Sequence, residues 1–273
     1  FQHLGQTLSS ARRLNEVILS EPEVQFAEEK LDINKPLDIT FSNVTFNYPD
    51  SERSVLNAVD LTIPATNKVA IVGQTGSGKS TLIQLLTRYW DPKKGYISIA
   101  GIELTQWNES QLRESISVVS QRVDILNGTL RDNLLIAKPD ANDDHLANIL
   151  KDVGLEKLLE NNALDSWLGD GGRQLSGGEK RRIGIARAIL HDAPILLLDE
   201  PTEGLDKQTE QSIMALFEKH FEGKTVIFIT HRLIGLESMD SIVLIEQGEI
   251  VENGSHETLL NEEGRYFQLR QAI

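Results

Sequence analysis

The chain has 273 residues, 40% of them hydrophobic and 25% charged, enough apolar material for one large domain or two modest ones. Acidic residues outnumber basic ones 41 to 27, and the net charge of −14 argues against a nucleic-acid partner. The absence of cysteine excludes disulfides and thiolate metal sites, and no apolar run approaches the roughly 18 residues of a membrane helix.

Residues 1–20 carry Leu4, Leu8, Ala11 and Val17 or Ile18 at a loose helical spacing. The acidic, proline-bounded stretch EPEVQFAEEKLDINKP follows and reads as a linker, so a compact domain is expected to begin near Leu37. The first residue is Phe1 rather than Met, which suggests a fragment of a longer protein. ITFSNVTFNY (39–48) alternates like a strand, VLNAVDLTI (55–63) is a second, and KVAIVG (68–73) is a short buried one. TLIQLLTRYW (81–90) has helical periodicity, and YISIAGIEL (96–104) returns to strand. Residues 108–170 read as mainly helical, with DDHLANILKDVG and LEKLLENN the clearest cases. A helix then begins within LSGGEKRRIGIARAIL (175–190), followed by strand ILLLD (195–199), helix QTEQSIMALFEKH (208–220) and strand TVIFIT (225–230). SIVLIEQGEIVENG (241–254) predicts a hairpin turning at Gln247-Gly248, and the tail reads as helical. Strands alternating with helices predict an α/β core, with an antiparallel side sheet near the start and a helical subdomain over about 122–190.

GQTGSGKS (73–80) fits the phosphate-loop pattern G-x-x-x-x-G-K-[ST], after a buried strand and before a helix. Its backbone from Gly73, Gln74, Thr75, Gly76, Ser77 and Gly78 is expected to curl around phosphates. Lys79 would reach the β/γ-phosphates and Ser80 would ligate Mg²⁺, with Thr81 next in line. ILLLDE delivers two acids at a strand end, where ligands gather in open α/β sheets. Asp199 is expected to hold the metal and Glu200 to orient or deprotonate the attacking water. His231 closes another strand and could donate to a γ-phosphate, and Gln121 follows a third strand as a candidate metal or water sensor. Ser176 is placed to cap a helix that opens on Gly177 and Gly178, and bare N–H groups there suit an anion. Tyr48 offers a flat partner for a nucleobase. Lys180, Arg181 and Arg182 read as a solvated face, and Ile183, Ala186, Ile189 and Leu190 as core. Trp90, Trp107 and Trp167 read as packing residues, and His3, His145, His191, His220 and His256 as surface or packing.

GQTGSGKS, SQ at 120–121, LSGGE at 175–179, ILLLDE, LD at 205–206 and TH at 230–231 occur in that order. Over about residues 37–273 this set resembles the nucleotide-binding domain of exporter-type ABC transporters. The resemblance implies ATP and Mg²⁺ as ligands and a second such domain as partner, packed head to tail around two ATP molecules. In that arrangement Ser176, Gly177 and Gly178 bind the γ-phosphate of the partner's ATP. It also implies that Tyr48 stacks on adenine, Gln121 couples the site to a membrane part, Glu200 is the general base and His231 contacts the γ-phosphate. Residues 1–36 are similar to the end of a last membrane helix and its linker, so a fused transmembrane domain is expected outside this chain. FQHLGQTLSSARRLNEV and the closing GRYFQLRQ further resemble bacterial heterodimeric thiol exporters. Those imply a different half transporter as partner, the cytoplasmic face of the inner membrane, export of cysteine or glutathione, and support of cytochrome bd assembly. One departure is Glu203-Gly204-Leu205-Asp206, where such exporters commonly carry Ser-Ala-Leu-Asp. The added charge predicts two composite sites that are not equivalent. A soluble relative acting on DNA or ribosomes, the alternative, would bring a coiled-coil insertion or tandem domains, and the sequence has neither.

Overall fold

In the computed structural model, residues 10–15, 18–19, 22–49, 51–159, 163–205, 207–233 and 235–271 are described. The expected helical positions Leu4, Leu8 and Val17, and Asp206 of the acidic loop, lie outside them; Ala11 and Ile18 are helical and exposed. In chain order, β1 (Ile39–Phe46) pairs with β2 (Leu56–Ile63), and β3 (Lys68–Val72) leads through the glycine loop into α1 (Lys79–Leu86). Next come β4 (Lys94–Ile99), β5 (Ile102–Glu103), α2 (Glu109–Ser115), β6 (Ile116–Val119), the short β7 (Gly128–Thr129) and α3 (Leu130–Leu135). They are followed by α4 (Asp143–Asp152), the short β8 (Trp167–Leu168), α5 (Gly177–His191), β9 (Ile195–Asp199), α6 (Lys207–His220) and β10 (Thr225–Thr230). The chain closes with β11 (Ser241–Glu246), β12 (Glu249–Gly254), α7 (His256–Asn261) and α8 (Arg265–Gln271).

The central sheet has the order β12-β11-β3-β10-β9-β6. β11, β3, β10, β9 and β6 run parallel, and β12 closes the edge antiparallel. Both faces of the inner strands β11, β3, β10 and β9 are covered, which explains why they are largely apolar instead of alternating with polar residues. Successive residues point to opposite faces. Thus Val72, Leu198, Phe228 and Leu244 join one core with α4, α5 and α6, while Ile71, Leu197, Ile227 and Val243 join the other. That second core includes α1 and the antiparallel side sheet, of order β2-β1-β4-β5. The parallel register sets Val72 beside Thr230, Ile229 beside Asp199, and Leu198 beside Val119. Four strand ends therefore finish on one rim of the sheet.

The helix expected over 81–90 ends at Leu86. Arg88 takes left-handed backbone (φ 55°) and folds its buried guanidinium onto Asp91 at 2.9 Å, which stops the helix. The strand expected over 96–104 is two, because Ala100 and Gly101 both have positive φ and turn the chain back as a tight hairpin. The Gln247-Gly248 turn has the same character and joins β11 to β12 as expected. Trp107 is fully buried, but Trp167 is 51% exposed and is not a packing residue. Arg181 and Arg182 are not a solvated face either: each donates to a backbone carbonyl, of Glu203 and Val153 respectively. Within the acidic stretch expected as a linker, residues 26–33 lie against α2 and the segment before it. Asn108 donates to the carbonyls of Ala27 and Glu28, and the Gln111 amide brackets Leu31 with two bonds of 2.7 and 2.8 Å. The Phe26 ring lies under the guanidinium groups of Arg88 and Arg113, at 4.7 and 5.6 Å.

Candidate functional site

The loop after β3 is drawn tight by its own lysine. Lys79 Nζ donates to the carbonyls of Gly73 and Gln74, both at 2.8 Å, and the side chain is buried. Burial pushes the Lys79 ammonium down from its ordinary value, and the Glu200 and Asp199 carboxylates pull it back up. Gly73 cannot carry a side chain, because a Cβ there would meet the Ile245 carbonyl oxygen at 2.2 Å. Gly78 stands at φ 107° as the residue before α1. Gln74, Thr75 and Gly76 form the exposed crest. The first-turn N–H groups of α1 have no intrahelical acceptor and so suit an anion. The Ser77 hydroxyl is buried and has no hydrogen-bond partner. An orphaned buried donor beside such N–H groups fits a phosphate.

Across the rim, Ser80 Oγ faces Asp199 Oδ1 at 3.4 Å. Burial pushes the Asp199 carboxyl up; Ser80 and Lys79 lower it, while Glu200 and Glu203 add to the rise. A hydroxyl and a carboxylate facing each other, among further acids, form an oxygen donor set that fits Mg²⁺. Glu200 follows at φ 47°, a region that L side chains rarely occupy, and its N–H is tied to the Ile229 carbonyl at 2.9 Å. Glu200 Oε1 pairs with His231 Nδ1 at 3.0 Å. Gln121, two residues beyond β6, donates from Nε2 to Glu203 Oε2. Thus Asp199 ends β9, and Lys79, Ser80, Glu200, His231 and Gln121 follow the ends of β3, β9, β10 and β6, where open parallel sheets gather ligands. A cleft of 440 Å³ opens beside Ser80 and Asp199 and extends to Tyr89 and Arg113.

Tyr48 stands over α1. Its hydroxyl meets Thr81 Oγ1 at 3.1 Å and Gln84 Oε1 at 2.8 Å, and its ring is edge-on to Phe46 and Trp90. The ring is half-buried and held from three sides. Ser176, Gly177 and Gly178 are elsewhere. Ser176 and Gly178 line a separate cleft with Gly154, Leu155 and Gly204, not the one at Ser80 and Asp199. Ser176 caps α5 as expected, and Glu179 returns the bond to the Ser176 N–H at 2.8 Å. The spacing S-x-x-E in the sequence carries the signal of this reciprocal cap. The charge of Glu203 was readable as a departure from the exporter pattern, but its contact with Gln121 was not, nor was the hold of Arg181 on the Glu203 carbonyl.

The ABC transporter family model matches residues 56–203. The chain is 49% identical over its whole length to the glutathione/L-cysteine transport system ATP-binding/permease protein CydC of Escherichia coli, covering 48% of that protein. It is 43% identical to the CydC of Haemophilus influenzae over 98% of the chain and 47% of the relative. It is 37% identical to the ATP-dependent lipid A-core flippase of Chromohalobacter salexigens over 97% of the chain and 46% of the relative. The chain thus spans about half the length of the curated relatives it matches. Among solved structures, a bacterial Atm1-family ABC exporter with ATP bound superposes with a TM-score of 0.88 at 34% identity, over 98% of this chain and 48% of that one. From the glycine loop, the acid-ended strand and these matches together, the chain belongs to the ABC transporter family, as an ATP-binding domain of the exporter type.

Proposed function

We propose that this chain is the ATP-hydrolysing motor of one half of a bacterial thiol exporter. The observation that carries the mechanism is the Glu200–His231 pair at 3.0 Å, one residue beyond the Asp199 that faces Ser80. ATP enters with its phosphates on the Gly73–Thr81 loop and Lys79, and its adenine on Tyr48. Ser80, Asp199 and Gln121 would hold Mg²⁺, which when bound offsets phosphate charge. Glu200 accepts a proton from water as that water attacks the γ-phosphorus in line; the bond to the β,γ-bridging oxygen breaks, giving ADP and inorganic phosphate. His231 holds the Glu200 carboxylate and stands ready to donate to the γ-phosphoryl oxygens.

Ser176 and Gly178 line a different cleft from this site, and with Gly177 they act on the ATP of a second nucleotide-binding domain. That partner is a different half transporter, CydD-like, and hydrolysis drives a fused transmembrane domain that lies outside this chain. Residues 1–36 are the end of its last membrane helix and the linker, residues 37–273 are the motor, and the motor sits at the cytoplasmic face of the inner membrane. Similarity to the two CydC proteins supports glutathione and cysteine as cargo. Glu200→Gln tests the chemistry, because an amide cannot accept the proton. ATP turnover should fall at least about a hundredfold, the lower end of general acid–base contributions. ATP affinity should stay within a factor of two. Unchanged turnover would remove Glu200 from the role.

A further inference from the structure

Glu203 is the residue where three parts of the site meet. Its N–H bonds the Glu200 carbonyl at 3.1 Å, its carbonyl takes the Arg181 guanidinium from α5, and its carboxylate accepts the Gln121 amide from the end of β6. Single ligand atoms of Glu203, Glu200 and His231 all lie within 4.8 Å of one another. The first two bonds use backbone atoms of Glu203 and survive a change of its side chain. The third belongs to the side chain alone.

That third bond has a chemical direction. A carboxylate only accepts, whereas a carboxamide has a donor end and an acceptor end. Glu203 therefore fixes which way round the Gln121 amide stands, with NH₂ toward the acid and the carbonyl oxygen turned away. Gln121 is exposed, so without this partner both orientations and several rotamers are open to it. We propose that Glu203 is a positioning residue that presents the Gln121 carbonyl oxygen to the divalent cation and ties the Gln121 loop to the Glu200–His231 pair. This rests on the reading above that Gln121 faces the cation of a nucleotide site.

The test uses Mn²⁺ as the probe, with free Mn²⁺ read by electron paramagnetic resonance in the presence of a non-hydrolysable ATP analogue. The 273-residue chain, Glu203→Gln, Glu203→Asp, Gln121→Ala and the Glu203→Gln/Gln121→Ala double variant are compared, with melting curves to confirm folding. Glu203→Gln should weaken Mn²⁺ about tenfold, the usual effect of losing an outer-shell partner. Affinity for the analogue without metal should be unchanged. Glu203→Asp, still acceptor-only, should keep more of the affinity than Glu203→Gln. In the Gln121→Ala background, Glu203→Gln should change nothing further. An unchanged Mn²⁺ affinity in Glu203→Gln overturns the proposal. So does an equal loss in the Gln121→Ala background, which would show a through-space charge effect. A parent chain that binds neither the analogue nor Mn²⁺ with it would instead overturn the underlying nucleotide-site reading.

Discussion

Glu200 is held in left-handed backbone at φ 47°, and the hydrogen bond from its N–H to Ile229 keeps it there. For an L side chain this conformation costs about 1–2 kcal/mol, which glycine avoids. The strain aims the carboxylate at His231 rather than along the strand, so position serves chemistry at the expense of stability. Glu200→Gly and Glu200→Ala both remove the carboxylate and differ only in backbone freedom. Glu200→Gly should be the more stable by roughly 0.5–1 kcal/mol, after the unfolded-state entropy of glycine is subtracted. Denaturant titration of the two variants decides it; equal stabilities would mean that φ at this position carries no strain. Lys79, Ser80 and Asp199 were legible in the sequence because each belongs to a contiguous motif with its strand attached. The Gln121–Glu203 bond was not, because its partners are 82 residues apart and meet only because β6 pairs with β9.

At the scale of an element, α5 is built for two tasks. Its N-terminus is closed by the Ser176–Glu179 reciprocal cap, and Arg173 steadies Glu179 at 3.3 Å. A Cβ added at Gly177 or Gly178 would meet nothing within 4 Å, so neither glycine serves this chain's own packing. Gly178→Ala should therefore raise stability by about 0.5–1 kcal/mol, as in any helix. On the proposed reading it should still impair ATP-driven pairing with a partner domain. A variant that is less stable than the parent would contradict this. Burial alone would raise the Glu179 carboxyl, but the Ser176 N–H and hydroxyl and then Arg173 outweigh it, and the net shift is downward from 4.5. A depressed folded-state value adds stability that is fully present above the unfolded value and lost as pH falls through the folded one. Glu179→Gln keeps the capping geometry without the charge. The stability gap between parent and Glu179→Gln should therefore be constant above about pH 6 and close as pH falls below 4.5, as followed by urea titration. The contacts of Arg181 and Arg182, in the second turn of the same helix, were not legible, because a helical wheel shows which residues share a face but not which carbonyls that face meets.

For the whole molecule, Ser80 and Asp199 line one cleft, and Ser176 and Gly178 line another. On the proposed reading a monomer carries two half sites, and an ATP site is completed only between chains. Light scattering of Glu200→Gln with and without Mg-ATP measures whether the chain can pair with itself. A CydD-like partner predicts monomer mass under ATP saturation, and a shift to dimer mass would show that this chain can complete its own sites. The order of the parallel strands was not readable, since uniformly apolar runs do not say which neighbours they pair with. Nor was the path of residues 26–33, whose polar composition suggested a linker although Phe26, Leu31 and Ile33 join the second core. That path bears on where domains of this kind can be exchanged. A chimera joined at Leu37, where the strand pattern begins, would set one parent's Phe26, Ala27 and Leu31 against the other's Asn108, Gln111 and Arg113. A join placed before Phe26 moves the strap and its seat together, and the graft inherits the contacts that lead through α2 into β6 and on to Gln121.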